Sequence, residues 1–405
     1  MASPETTRSS SDAASGSMLV TGGAGFIGAN FVRHRLDRSA GDRPERSGTD
    51  RIVVLDALTY AGNRANLDGL DPARVTFVHG DIRDTALVER LLREHELATI
   101  VHFAAESHVD RSISGPDAFI DSNVIGTHSL LKAARTVWLA GSGMAHRFHH
   151  VSTDEVYGSL SPSDPAFAET NQYQPNSPYS ASKAASDHLV RAYQHTFGLS
   201  TTVSNCSNNY GPYQFPEKLI PLMLVNILHG KPLPVYGDGM NVRDWLYVED
   251  HCLGISLILE RGAVGEVYNI GGNNERPNIE IVKRLCAMVD ERFARDASLA
   301  KRFAGAPAAK GTPSESLITY VKDRPGHDRR YAIDARKAER ELGYRPRETF
   351  ETGFAKTIDW YLANESWWRA VMDGSYRQWI EANYGRRTNG AAAAATGNHK
   401  GTVPA

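Results

Sequence analysis

Cysteine is scarce in this chain of 405 residues: there are three, Cys206, Cys252 and Cys286. None stands three positions from another, which excludes a CxxC redox or zinc module. With no secretory pattern beside them, buried free thiols are the expectation. Long apolar runs are lacking too. No stretch approaches the roughly 18 apolar residues that read as a membrane span, and no signal-peptide pattern is present. Nor does one sign of charge dominate: 45 Lys and Arg face 47 Asp and Glu, a formal net charge of −2. That removes any global pull toward nucleic acid or an anionic membrane. The expectation is a soluble, cytoplasmic protein with no nucleic-acid and no membrane partner.

What is present reads as globular. The chain is 41% hydrophobic and 23% charged, and its length allows one large domain or two smaller ones. Met18 to Thr21 is a short apolar strand. It runs into Gly22-Gly-Ala-Gly25-Phe26-Ile27-Gly28, and Ala29, Phe31, Val32 and Leu36 follow at helical spacing. Strand, Gly-rich turn and helix in that order form the dinucleotide fingerprint: the glycines let backbone approach a pyrophosphate seated on the helix N-terminus. Residues Ser39 to Asp50 read as a polar surface loop. Arg51 to Leu55 is a second strand ending in Asp56, whose carboxylate suits ribose hydroxyls and repels a 2′-phosphate. Ala57 and Leu58 follow with no arginine, so NAD is favoured over NADP.

Val75 to His79 and Thr99 to Phe103 are further strands. After the first, Asp81 can meet an adenine amino group or serve a turn. After the second, Ala104 and Ala105 are small enough for a cofactor to lie against the backbone. Phe119 to Ala134 reads as a helix; its Asn123 can hold a backbone bend, a water or a cap. Thr136 to His146 reads as a loop. His149 and His150 are adjacent on a strand and point to opposite faces, so no metal site is expected.

The central stretch is Ser152-Thr153-Asp154-Glu155-Val156-Tyr157-Gly158, after the apolar strand Phe148 to Val151. Its polar residues fall at a strand's C-terminal edge, where open α/β sheets keep their sites. Tyr179 and Lys183, four apart near the start of a helix behind Pro178, share one face. An ammonium beside a phenol favours the phenolate, a base for an alcohol proton. Thr153 adds a hydroxyl, and Asp154 and Glu155 add two carboxyls.

These motifs together resemble the extended short-chain dehydrogenase/reductase family, and within it the nucleotide-sugar 4,6-dehydratases. The resemblance runs from about Met18 to about Trp379. It is supported by Leu55-Asp-Ala-Leu-Thr-Tyr-Ala-Gly62, Ala104-Ala-Glu-Ser-His-Val-Asp-Arg111, Asn205-Cys-Ser-Asn-Asn-Tyr-Gly-Pro212 and Arg324-Pro-Gly-His-Asp-Arg-Arg-Tyr331. It implies an α/β fold: a Rossmann-type doubly wound parallel sheet with a smaller, interleaved substrate-binding domain. The expected division is 18–204, with returns at about 244–272 and 332–362, for the NAD domain. Residues 205–243 and 273–331, with about 363–387, form the substrate domain. Residues 1–17 and 388–405 are expected to be disordered, and Glu291 to Ser316 to be a surface excursion.

The resemblance also implies roles. Tyr179 takes the C4 hydroxyl proton, Lys183 holds the nicotinamide ribose, Thr153 bonds the C4 oxygen, Glu155 removes the C5 proton and Asp154 protonates the departing C6 hydroxyl. The cofactor contacts extend to Leu58, Thr59, Ile82, Ser107, Ser122 and Asn209. The substrate contacts are Ser107, Thr153, Asn208, Lys218, Leu219, Pro234, Tyr236, Arg243, Asn278 and His327. A dTDP-glucose substrate is preferred and UDP-glucose stays open, with the product feeding deoxysugars such as rhamnose. A homodimer is implied. A 4-epimerase and a silent NAD-binding sensor are the alternatives; the Asp-Glu pair and the intact Tyr-Lys pair favour the dehydratase.

Overall fold

The computed structural model describes residues 17–37 and 51–372. The expectations for residues 1–16, for Ser39 to Asp50 and for 373 onward lie outside the described residues. Twelve strands occur among these residues: β1 Ser17–Thr21, β2 Arg51–Asp56, β3 Val75–His79, β4 Thr99–His102, β5 Arg147–Thr153, β6 Thr201–Cys206, β7 Asn208–Tyr210, β8 Leu233–Tyr236, β9 Val242–Tyr247, β10 Val267–Ile270, β11 Glu275–Pro277 and β12 Ile318–Val321.

Seven of them form one sheet, in the order β3-β2-β1-β4-β5-β6-β10. Every neighbouring pair in it is parallel. Runs such as Ile52 to Leu55 are buried along their whole length, as helices on both faces require. The chain direction across the sheet reverses between β1 and β4, and such a switch point opens a crevice at the strands' C-terminal ends. Gly22, Ala104 and Thr153 all stand there. β10 returns late in the chain to pair with β6, and helix Val248–Arg261 packs Val248, Cys252 and Ile255 against Ala29, Phe31 and Val32. The lobes are interleaved for that reason.

One of the expected features around the helices differs. Most of Thr136 to His146 is not a loop: helix continues from Gly126–Ala134 through a wider π-turned stretch, Arg135–Ser142, and only residues 143–146 are irregular. Val137 and Trp138 are buried there, and the Trp138 indole donates to the Leu97 carbonyl at 2.9 Å. Gly143, at φ +61°, ends the helix. Helix Pro178–Phe197 begins as read, with Pro178 in its first turn and a reciprocal Ser177–Ser180 capping box.

The smaller lobe holds a three-stranded sheet, β11-β9-β7, and the parallel pair β8–β12. Its core joins Tyr210, Met223, Trp245, Leu285 and Trp368. Phe350, Phe354, Ile358 and Tyr361 belong to this core, so the end of the 332–362 segment packs with the smaller lobe. Ala335, Ala338, Leu342 and Tyr344 remain with Tyr268 and Ile270 of the large sheet. Glu291 to Ser316 is no surface excursion either: Phe293, Leu299, Phe303 and Ala306 are buried in the same core. Their apolar side chains are spaced among charges, which hid the packed face. The three cysteines are free and buried. Among the described residues no helix is long and apolar enough to cross a membrane.

Candidate active site

A cavity of about 460 Å³ lies between the lobes at the switch point. Its first wall is the Gly-rich turn. Gly22 has φ +68°, and a Cβ there would stand 2.6 Å from the Ala104 nitrogen; a Cβ on Gly28 would meet the Gly22 carbonyl at 2.3 Å. Glycine is required at both. No side chain caps helix Phe26–Leu36, and no acidic residue stands in its first turn. Its N-terminal amides and partial positive charge therefore face the cavity, suited to a phosphate. Asp56 sits at the end of β2, where its carboxylate accepts from the Ala24 amide at 2.9 Å and the Leu58 amide at 2.8 Å.

Gly22, Gly25, Phe26, Ile27, Gly28, Asp56, Thr59, Asp81, Ile82, Ala104, Ala105, Ser107, Ser122 and Asn209 all line the cavity. Leu58 does not. Its backbone turns at φ +50°, and its side chain, like those of Phe26, Ile27 and Phe103, packs against the apolar cluster of Val20, Phe31 and Val54. Asp81 serves the turn: it accepts from the Arg83 amide at 2.8 Å and pairs with the Arg83 guanidinium at 2.7 Å. Asn123 holds backbone. It exchanges two hydrogen bonds with Glu106 and donates to Ser182 Oγ at 2.8 Å.

Tyr179, Lys183, Thr153 and Glu155 line the same cavity. Thr153 ends β5 and caps the short turn Asp154–Tyr157, its Oγ1 accepting from the Glu155 amide at 3.3 Å. The same hydroxyl acts to lower the Tyr179 phenol against its burial. Lys183 Nζ donates to the Val151 carbonyl at 2.9 Å and lies 3.4 Å from His150 Nε2. Asp187, one turn on, accepts from Ser152 Oγ at 2.8 Å and stands 3.2 Å from His150 Nε2. Burial pulls the Lys183 ammonium down to about 8 against the opposing Asp187 carboxylate. Burial pushes Asp187 up to about 6.

Two readings from sequence need correction. Among these groups the Tyr179 phenol is raised, not lowered. Burial raises the phenol well above its ordinary range and Glu155 adds to it, while the ammonium's hydrogen bonds go to β5. Asp154 does not line the cavity. It is buried one side chain behind Thr153, with Oδ1 3.4 Å from the Thr153 hydroxyl that donates to it. Its Oδ2 has no hydrogen-bond partner among the described residues.

The two carboxyls are nevertheless set apart electrostatically. Burial, then Glu155 and Asp244, hold Asp154 well above the usual carboxylate range. Burial raises Glu155 as well, but Arg324, Lys218 and Arg243 oppose it. Neighbouring carboxyls whose hold on a proton differs in this way suit a paired acid and base.

The smaller lobe supplies the remaining wall: Asn208, Lys218, Leu219, Pro234, Tyr236, Arg243, Asn278 and His327 all line it. Lys218 precedes helix Leu219–His229 and donates to the Ser107 carbonyl at 2.7 Å, tying the lobes together. Arg243 donates to the Asp328 carbonyl at 2.9 Å with its guanidinium over the Tyr331 ring. Asn278 opens helix Asn278–Arg295, and its Oδ1 is buried without a partner among the described residues. His327, held down to about 4 by burial, bonds Asp323 at 2.6 Å.

Sequence reading passed over several groups. Asp110 accepts from the Tyr236 hydroxyl at 2.8 Å and from Arg324 at 3.2 Å, joining first-lobe helix to second-lobe wall. Glu217 accepts from Tyr60 at 2.9 Å and Arg111 at 3.3 Å. Nothing local marks either one. Asp187 carried a usable signal, since it stands four residues after Lys183 on the same helical face.

A Rossmann crevice, a Tyr-Lys pair and a facing phosphate-binding wall define a class, the extended short-chain dehydrogenase/reductases. Within it, the chain belongs to the family whose profile, described as GDP-mannose 4,6 dehydratase, matches residues 19–357. It is 57% identical over 363 residues to a dTDP-glucose 4,6-dehydratase of Xanthomonas campestris pv. campestris (strain B100), covering 89% of this chain and 97% of that one. It is 51% identical over 379 residues to dTDP-glucose 4,6-dehydratase 1 of Escherichia coli (strain K12), covering 91% and 98%. Among solved structures, the dTDP-glucose 4,6-dehydratase DesIV of Streptomyces venezuelae, with NAD and TYD bound, matches with TM-score 0.76 and 48% identity. That match covers 88% of this chain and 99% of DesIV. A UDP-glucose 4-epimerase of Thermus thermophilus, in complex with NAD, matches at TM-score 0.70 and 28% identity, covering 86% and 99%.

Proposed function

We propose that this chain is a dTDP-glucose 4,6-dehydratase, a hydro-lyase that converts dTDP-glucose to dTDP-4-keto-6-deoxyglucose and water with NAD recycled in place. The observation that carries this reading is Thr153 and Glu155 facing the Tyr179–Lys183 pair across one cavity, with Asp154 directly behind. An epimerase has no use for the two carboxyls, and neither has a silent NAD-binding sensor.

The residues present fit NAD. The uncapped helix start takes the pyrophosphate, the Gly22–Gly28 turn gives it room, and Asp56 meets the ribose. When bound, NAD accepts hydride from C4 and later returns it to C6. Tyr179 takes the C4 hydroxyl proton while Thr153 bonds that oxygen. The C4 ketone acidifies the neighbouring C5 proton, and Glu155 removes it. Asp154 gives its proton to the C6 oxygen, which leaves as water. Glu155 returns a proton to C5. Lys218, Arg243 and Arg324 oppose the diphosphate charge, and Arg243 suits it through its planar fork. Pro234 and Tyr236 flank the base.

Incubation with dTDP-glucose should give a product lighter by one water in mass spectrometry. No such product from any hexose nucleotide would defeat the reading; a C4-inverted sugar of unchanged mass would make the chain an epimerase. Thymine and uracil differ by one methyl, which a pocket discriminates by about 1–3 kcal/mol. The specificity constant should favour dTDP-glucose over UDP-glucose, and the reverse preference would overturn that assignment.

A homodimer fits the surface. Ile113, Ile120, Ile125 and Phe197 are exposed at 39%, 46%, 49% and 37%, on or beside the helical stretch 119–134 and helix Pro178–Phe197, which with the same pair from a second copy would form a four-helix bundle. Light scattering should give a dimer at micromolar concentration, and Ile120→Glu with Ile125→Glu should give a monomer. A monomeric wild type would sink the proposal. The cytoplasm is the expected compartment, in keeping with three thiols left unpaired.

A further inference from the structure

Asp110 is a buried acidic residue of the first lobe that takes no part in the reaction above. It stands on the short helix Val109–Ser114, beyond β4. Its neighbour Val109 packs with Phe119 and Tyr179, so the helix is seated on the large lobe. Yet both Asp110 oxygens accept from side chains of the smaller lobe. Oδ2 accepts from the Tyr236 hydroxyl at 2.8 Å, and Oδ1 from Arg324 Nη1 at 3.2 Å. Asp110, Tyr236 and Arg324 all line the cavity.

A guanidinium can only donate, and the phenol donates here as well. Two donors on two oxygens match an ionised carboxylate, which only accepts, and they offset the cost of burying it. Each partner is constrained in turn. A hydroxyl has one proton to give, and Tyr236 gives it to Asp110. None is left for a base, so the ring is what remains to meet one. That ring also meets His327 edge-on, with centroids 5.9 Å apart at 85°. Arg324 is anchored through Nη1, while its Nε is buried with no partner among the described residues. A guanidinium held by one nitrogen keeps further donors for an anion.

We infer that Asp110 is a positioning residue for the nucleoside diphosphate: from the NAD-binding lobe it fixes the Tyr236 ring for the base and the Arg324 guanidinium for the diphosphate. The inference rests on the dehydratase reading, which puts a base beside Tyr236 and a diphosphate beside Arg324. Its physical content is preorganisation. A ring and a guanidinium already held in place lose little side-chain freedom when the ligand arrives, so more of the contact energy appears as affinity. The substrate wall of one lobe is thereby set from the other.

The test titrates the NAD-loaded enzyme with dTDP and with UDP by calorimetry. Asp110→Ala should weaken binding of the tighter ligand by about 10- to 100-fold. Asp110→Asn keeps the shape and one carbonyl acceptor and should lose less. Unchanged affinity in Asp110→Ala would overturn the inference. Double-mutant cycles separate positioning from general support of the fold. Asp110→Ala is combined with Tyr236→Phe and, separately, with Arg324→Gln. Each pair should lose less than the product of its two single losses. Losses that multiply in both cycles would show that Asp110 acts through neither side chain, and the inference would fall. Should Asp110→Ala fail to fold, Asp110→Asn runs the same cycles. NAD retention after removal of free cofactor should match the wild type; its loss in Asp110→Asn would make the carboxylate a support of the first lobe and overturn the proposal. A wild type that binds neither dTDP nor UDP would refute the inference together with the nucleotide-sugar reading. One that binds either but makes no dehydrated product would refute the dehydratase reading, with the Asp110 cycles still deciding the inference.

Discussion

Asp154→Asn and Glu155→Gln are each expected to lower turnover by about 10²–10⁴-fold, the range a positioned acid or base contributes, while reduced nicotinamide builds up on the enzyme. The asparagine keeps the carboxyl's shape but has no proton to give to the C6 oxygen. The glutamine cannot accept the C5 proton. Neither change removes Tyr179, Thr153 or Lys183, so oxidation at C4 proceeds and elimination stalls. The trapped species is the 4-keto glucose nucleotide. Stopped-flow absorbance with saturating substrate reads it directly. The environments predict a difference between the two. Glu155 faces Arg324, Lys218 and Arg243, so its amide also removes a counter-charge from that wall and should alter KM. Asp154 lies behind Thr153, so its amide should act on kcat alone. Absence of any absorbance rise in both variants would overturn the division of labour.

Tyr179→Phe is expected to lose turnover on the same scale with no such rise, because C4 oxidation itself fails. The ring is retained, so NAD should still bind, which quenching of protein fluorescence can confirm. A rise in reduced nicotinamide in this variant would reverse the roles. The pH profile of the wild type should report the groups behind the tyrosine. Lys183 acts as an ammonium and is held down to about 8, so activity should fall as pH rises through that value. Asp187 acts as a carboxylate and is pushed up to about 6, so activity should fall as pH drops through that value. Asp187 is the main group raising Lys183 against burial. Asp187→Asn should therefore shift the alkaline limb to lower pH, and an unmoved limb would show that the carboxylate does not govern the lysine.

Part of this site was open to reading in one dimension because its geometry is local. Strand, Gly-rich turn and helix are consecutive, so Gly22, Gly28 and the helix start at Phe26 meet through backbone geometry alone. Tyr179 and Lys183 are joined by one helical turn. Thr153, Asp154 and Glu155 are neighbours at a strand end. The misread stretches share a cause. In Thr136 to His146 and Glu291 to Ser316, glycine, alanine and charge dilute the apolar pattern. Burial of Trp138 and Phe303 against distant elements then decides the conformation.

Residues within a few positions of one another were enough to mark the strand ends, the Gly-rich turn and the candidate reacting side chains. What surrounds those side chains came from the folded chain instead. Arg324 reaches Asp110 across 214 residues. Arg324, Lys218 and Arg243 converge on Glu155, while Asp154 lies buried with Arg243 opposing its burial. Whether a carboxyl acts as acid or base is set by desolvation and nearby charge, and those are properties of packing between segments far apart in sequence.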